Sequence, residues 1–225
     1  MPQPIGALIP IAWDHFGPVA YERLAPDRED HPVTDIVDIV TLKTENASRW
    51  KAATITSHLL PAIDTVVTRL TAPAALTRYK AVASVTHVPW YIIAVIHERE
   101  ASQSWRSQLA QGDPLDRVSR HVPAGRGPFQ TWEAGAVDAL ARCAPYAARW
   151  TDWTPGGGLT LLEEYNGLGY AHMGHPSPYV WASTDQYRSG KYVSDGHYDP
   201  DAVDHQIGCA AMLKRMQERF PEVFA

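Results

Sequence analysis

Apolar and polar positions along the 225-residue chain change period several times, and each change predicts a boundary. The densest apolar run covers residues 90–96, with Pro89 before it and His97-Glu98-Arg99-Glu100 directly after it. Such a run is too short to span a membrane and apolar on nearly every face. It predicts a helix buried all round, with Pro89 in its first turn, where a missing N–H is harmless. Charge follows without a break, so the helix should deliver a carboxylate from the core into partly desolvated surroundings, which raises its pKa. Upstream, apolar residues recur from Thr34, and Trp50, Ile55, Leu59, Ile63, Val66 and Leu70 keep helical spacing up to position 70. Pro61 is expected to kink or divide that helix. Residues 73–87 predict a further helix leading into the central one.

Past Trp105 the helical period is lost among Gly112, Pro114, Pro123, Gly125, Gly127 and Pro128, and the alternation over residues 118–122 predicts a short strand. Helix returns from Thr131, a plausible N-cap residue. Gly156-Gly157-Gly158 predicts a flexible joint, residues 159–165 a short helix, and Asn166-Gly167 a turn. From Asp199 the last helix is expected to begin, acidic residues at its positive end and Lys214, Arg215 and Arg219 at its negative end, packing Val203, Ile207, Ala210, Met212 and Leu213. Residues 1–33, rich in Pro, predict a loop-rich leader.

Composition narrows the class. Hydrophobic residues make up 45% and charged residues 20%, ordinary values for a globular protein. A net charge of −5 and the lack of any basic run argue against a nucleic-acid partner. The first ten residues lack the basic and long apolar parts of a secretory signal, and no window reaches the length of a membrane span, so a cytoplasmic origin with no membrane partner is expected. Cys143 and Cys209 read as small core residues. His97-Glu98 begins like a zinc-protease motif, but Ala101 stands where the second histidine is required, and His172 and His175 lack a third ligand nearby. No metal or other cofactor is expected.

The candidate chemistry lies in carboxylates and aromatic rings. Glu100, at the end of the buried helix, suits a general acid that stays protonated near neutral pH; Glu98, two positions earlier, points to another side of the helix. Asp113, in a Gly-Asp-Pro turn, is the candidate second carboxylate, with a plain turn-forming Asp as the alternative. Glu164 is the other contender. Residues 169–198 are irregular and rich in aromatic side chains, as suits a carbohydrate surface. Tyr170, Tyr179 and Trp181 are its candidate stacking residues, with Asn166, Ser183 and Asp185 as polar partners.

The order Ile96-His97-Glu98-Arg99-Glu100-Ala101-Ser102, ending in Trp105, resembles the helix-end motif of goose-type lysozymes and lytic transglycosylases. The segments Arg78-Tyr79-Lys80-Ala81-Val82, Val88-Pro89-Trp90, Gly112-Asp113-Pro114-Leu115, His121-Val122-Pro123-Ala124-Gly125-Arg126 and Tyr192-Val193-Ser194-Asp195-Gly196 are together similar to lysozyme-like muramidases and endolysins of bacterial and phage genomes. The resemblance covers roughly residues 78–215. It implies a mainly α (α+β) lysozyme-like fold with a small β-hairpin lobe after Trp105, a catalytic domain over residues 73–225, and a loop and helical extension over residues 1–72. It places the general acid at Glu100. Tyr165-Asn166-Gly167 resembles the segment by which lytic transglycosylases touch substrate, although Leu168 and Gly169 depart from that pattern. The implied activity is cleavage of the β-1,4 bond between N-acetylmuramic acid and N-acetylglucosamine in peptidoglycan, by hydrolysis or, alternatively, by transglycosylation. A monomer acting on the glycan strand, and released to the periplasm or cell wall, completes the expectation; a non-catalytic wall-binding or phage structural module is the rival from another class.

Overall fold

A computed structural model describes residues 37–194 and 196–225; the expected leader lies outside the described residues. Over these the chain is mainly helical, with one small antiparallel two-stranded sheet. The helices are α1 (Ile39–Ala52), α2 (Leu60–Leu70), α3 (Pro73–Thr86), α4 (Trp90–Ala101), α5 (Trp132–Arg142), α6 (Pro155–Asn166), the single turns α7 (Gly169–His172) and α8 (Pro178–Trp181), and α9 (Cys209–Gln217); β1 (Lys191–Ser194) pairs with β2 (His197–Asp199).

The central helix is α4. Every residue from Trp90 to His97 is buried, and so is Arg99, so the remaining helices pack around it. Pro89 stands one position earlier than expected, as N-cap, its carbonyl accepting from the N–H groups of Ile92 and Ile93. The helix stops at Ser102 and Gln103, both in the left-handed region, where nested bonds from Ser102 N to Glu98 O (2.9 Å) and Gln103 N to His97 O (3.1 Å) close its end.

The helical stretch expected up to residue 70 is divided into two helices, though not at Pro61 itself. Asp38 caps the first, its carboxylate accepting from Val40 N at 3.0 Å. The break falls upstream of Pro61, because Thr54 bonds Asp185 through both its N–H and its hydroxyl and Thr56 N donates to Ser183 O. These distant partners replace the intrahelical bonds. Pro61 then sits in the first turn of α2, where it fits. Residues on both sides of position 72, from Trp50 and Ile63 to Met216, contribute to one hydrophobic core.

Gly156-Gly157-Gly158 is no joint. Thr154 accepts from Gly157 N at 3.2 Å and Pro155 occupies the first turn, so the three glycines begin α6 and are buried. They are small because α6 lies close against its neighbours: a Cβ on Gly156 would meet Lys43 O of α1 at 2.5 Å, and one on Gly158 would meet Phe224 at 2.6 Å. Gly156→Ala should destabilise the fold by about 1–3 kcal/mol through overpacking, read as a lower urea midpoint at unchanged slope; an unaltered midpoint would mean that α1 and α6 separate freely.

The strand expected over residues 118–122 does not form. Residues 102–131 make a looped segment with one isolated bridge, between Ser107 and Pro114, so the expected hairpin lobe after Trp105 is absent there. Its bonds run within the loop, as from Gln108 N to Asp113 O (2.7 Å) and Ser119 N to Arg126 O (2.8 Å). The last helix starts at Cys209, ten residues later than expected. Asp199 instead holds a turn by accepting from Asp201 N and Ala202 N, Asp204 is consumed in an ion pair, and Val203 is exposed rather than packed. Among the described residues no single helix is long and apolar enough to cross a membrane.

Candidate active site

Three successive charged side chains leave the end of α4 in three directions, as the roughly 100° turn per residue requires. Glu98 meets Arg69 of α2 in a two-pronged pair, both bonds 2.9 Å. Arg99 is buried and donates to Asp204 at 2.9 Å, with its guanidinium 4.8 Å from the centre of the Tyr179 ring. Glu100 is only partly buried, and Tyr179 of α8 donates to its Oε1 at 3.0 Å. Among the described residues no cation lies within ion-pair distance of it, Arg99 being taken by Asp204.

Burial therefore dominates at Glu100. It raises the carboxyl to about 8, against the smaller opposing effects of the Tyr179 hydroxyl and Arg99. Among the described residues the groups that sense its charge are the phenols of Tyr179 and Tyr165 and the thiol of Cys209, and no carboxylate is among the causes of its shift. A carboxyl still protonated at neutral pH and hydrogen-bonded by one phenol can give a proton to an oxygen leaving group brought within reach of it.

The end of α4 and the loop against it are tied by hydrogen bonds and close packing. His97 is buried, one ring nitrogen 3.0 Å from the Tyr79 hydroxyl and the other 3.0 Å from Ser104 O, and burial holds it neutral with a pKa of about 4. Gly112 has φ +71, and a Cβ there would lie 2.8 Å from Glu100 O, so the Gly112-Asp113 turn is seated against the backbone of the acid itself. Tyr165 of α6 pins the same loop by donating to Leu109 O at 3.2 Å.

Asp113 sits in that turn, but its carboxylate is occupied. It accepts from Arg120 N (2.7 Å), His121 N (3.0 Å) and the His121 ring (2.6 Å). Burial would raise its pKa, yet these donors outweigh burial and hold it below the usual range. In this structure Asp113 serves as a turn-forming aspartate, its carboxylate engaged by three donors of its own loop.

The aromatic candidates are also placed differently from expectation. Trp181 and Tyr179 are buried in the core, Tyr170 accepts from Tyr192 N beneath the hairpin, and Tyr165 is buried, so none of the four offers an open face to a sugar. Composition alone cannot separate a stacking platform from a core. Partly exposed positions remain at Glu164, whose pKa burial raises, and at Asn166, which donates to Ser177 Oγ at 3.3 Å. Tyr192 and Tyr198, packed edge to face at 5.6 Å, are the partly exposed rings of this region.

Sequence reasoning passed over Glu163, buried on α6 with Trp181 Nε1 donating to it at 3.3 Å; burial raises its pKa to about 7. The signal was present: Glu163 lies on the helical stripe of Gly156, Leu159 and Thr160.

These shifts set a pH dependence of stability. Glu100 and Glu163 titrate near 8 and 7 in the folded chain instead of 4.5, so the folded state holds more protons and stability is lost as pH rises through that window. His97 acts oppositely between 4 and 6.5. Above 6.5 the His97 contribution is complete and these two carboxyls drive the loss, so Tm should fall by roughly 5 °C between pH 6.5 and 8.5. A Tm that rises over that interval in differential scanning calorimetry would mean that both groups are already ionised.

Comparison with known proteins finds no matching family model, no similar curated protein and no similar solved structure.

Proposed function

We propose that the chain cleaves the glycan strand of peptidoglycan between N-acetylmuramic acid and N-acetylglucosamine, with Glu100 as proton donor. The supporting observation is the placement of Glu100: a half-buried residue at the end of a buried helix, its carboxyl raised to about 8 by burial and hydrogen-bonded by the Tyr179 hydroxyl at 3.0 Å. The substrate class rests on the resemblance of the Ile96–Ser102 run and its accompanying motifs to lysozymes and lytic transglycosylases.

In this reading Glu100 protonates the glycosidic oxygen as the bond to the anomeric carbon breaks. Its carboxylate then takes a proton from whatever attacks that carbon. The engagement of Asp113 by three donors of its own loop favours the transglycosylase variant, in which the muramic acid 6-hydroxyl attacks and Glu100 serves as acid and then base. No second carboxylate is then needed.

Incubation with purified peptidoglycan should lower turbidity and release fragments ending in 1,6-anhydro sugars, one water lighter than reducing ends. Reducing ends would assign a hydrolase, and no release would overturn the reading. Asp113→Asn should leave the product type unchanged and cost about 1–3 kcal/mol of stability, because it unmakes charge-assisted bonds within the loop. A D113N variant that folds with wild-type stability and has lost cleavage would restore Asp113 as a catalytic carboxylate.

A further inference from the structure

The least explained side chain in the molecule is Glu163, an acid only 2% exposed in the interior. An isolated buried charge is costly, and interior carboxylates are normally matched by a cation. Among the described residues none lies within ion-pair distance of Glu163. The charges that reach it, Arg49 and Glu45 of α1, act in opposite senses.

Its partners are neutral. Trp181 Nε1 donates to Oε1 at 3.3 Å, and the neutral Asn46 side chain of α1 is near enough to act on the carboxyl. Asn46 is itself buried: its Nδ2 reaches Thr160 Oγ1 at 3.1 Å, while its Oδ1 has no donor. A carboxylic acid can meet a carboxamide through two bonds, N–H to acid carbonyl and O–H to amide oxygen, whereas an ionised carboxylate can make only the first. A proton on Glu163 would offer the donor that Asn46 Oδ1 lacks.

The consequence reaches Glu100. Trp181 and Tyr179 share the four-residue turn α8, too short to hold its shape by helix propensity and fixed instead by its tertiary contacts. Trp181 is fully buried, and its indole N–H bond to Glu163 ties α8 to α6. Two residues away, Tyr179 donates to Glu100.

We propose that Glu163 is a positioning residue, held as a neutral carboxylic acid between Asn46 and Trp181, which fixes α8 so that the Tyr179 hydroxyl stays on Glu100. The inference rests on Glu100 being the proton donor proposed above. Charged and titratable groups around Glu100 are Arg99, already paired with Asp204, and Tyr165, Tyr179 and Cys209.

The test follows the carboxyl of Glu100 by carbon-13 NMR, together with kcat and KM on peptidoglycan, in the full chain and in Glu163→Gln, Glu163→Ala and Trp181→Phe. Glutamine keeps an acceptor for Trp181 and supplies an N–H to Asn46 Oδ1. Glu163→Gln should therefore leave the Glu100 midpoint unchanged and kcat within about twofold of wild type. Glu163→Ala and the nearly volume-matched Trp181→Phe release α8. The hydrogen bond from Tyr179 favours the ionised form of Glu100, so its loss should raise the Glu100 midpoint and lower kcat roughly tenfold with little change in KM. Trp181→Phe keeps the test available if Glu163→Ala does not fold. The proposal is overturned if Glu163→Gln behaves like Trp181→Phe, because Glu163 must then be ionised. It is equally overturned if Trp181→Phe leaves the Glu100 midpoint where it was. The midpoint is read without any reaction, so a wild-type chain that cleaves no peptidoglycan would defeat the enzymatic reading and leave the positioning result standing on its own.

Discussion

On the proposed function, Glu100→Gln is expected to lower the rate of peptidoglycan cleavage by about a hundredfold or more while leaving the circular dichroism spectrum and the Tm at pH 7 near those of wild type. The asymmetry follows from the protonation state. A carboxyl raised to about 8 is neutral at pH 7, so the amide replaces it with no change of charge and still accepts from Tyr179, but it has no proton to give. The same shift predicts that the wild-type rate declines as pH rises through about 8. Glu98→Gln is the matched control. It disrupts the pair with Arg69 on the neighbouring face and should cost stability rather than catalysis. Equal cleavage by Glu100→Gln and wild type would remove Glu100 from the chemistry.

The largest stability effect is expected at Asp204. Its carboxylate meets Arg99 at 2.9 Å and Lys191 at 3.5 Å, and both it and Arg99 are about 4% exposed at their side chains. Removing one partner strands the other as a buried charge, so Asp204→Ala should destabilise the fold by about 3–5 kcal/mol in urea unfolding. Replacing both residues, as Arg99→Met with Asp204→Leu, should recover most of that loss, because no unpaired charge is left inside. A single Asp204→Ala costing under about 1 kcal/mol would show that water reaches Arg99.

How far the sequence foretold this arrangement depends on the range of the interactions involved. The central helix was legible because its signal is local: a continuous apolar run, a proline before it and charge after it, which correspond to α4 and the partly exposed Glu100. A division of the helix before residue 70 was legible at Pro61, but its place between α1 and α2 was not, because it is set by Asp185 and Ser183, more than a hundred residues away. Three successive glycines read as a joint by composition, whereas their reason is the close approach of α1 and Phe224, a fact of packing. The sheet was expected near residue 120 and lies at Lys191–Asp199, where the Asp195-Gly196 pair between Tyr192 and Tyr198 was the usable hairpin signal.

The site divides along the same line. Glu100 was visible from the end of the apolar run. Tyr179 was picked out for the wrong reason, as a sugar-stacking ring, when its ring is buried and its hydroxyl is what reaches the acid. Trp181 was misread in the same way. Asp113 was offered two roles by its Gly-Asp-Pro setting, and only the positions of Arg120 and His121 around it make the loop-forming role visible.

The central claim is that the fold keeps a proton on Glu100 at neutral pH, and the most direct measurement is the carbon-13 titration of that carboxyl in the wild-type chain, assigned by its disappearance in Glu100→Gln. The midpoint should lie at about 8. A midpoint near the ordinary glutamate value of 4.5 would contradict the account, because the group would be ionised at pH 7 with no proton to donate.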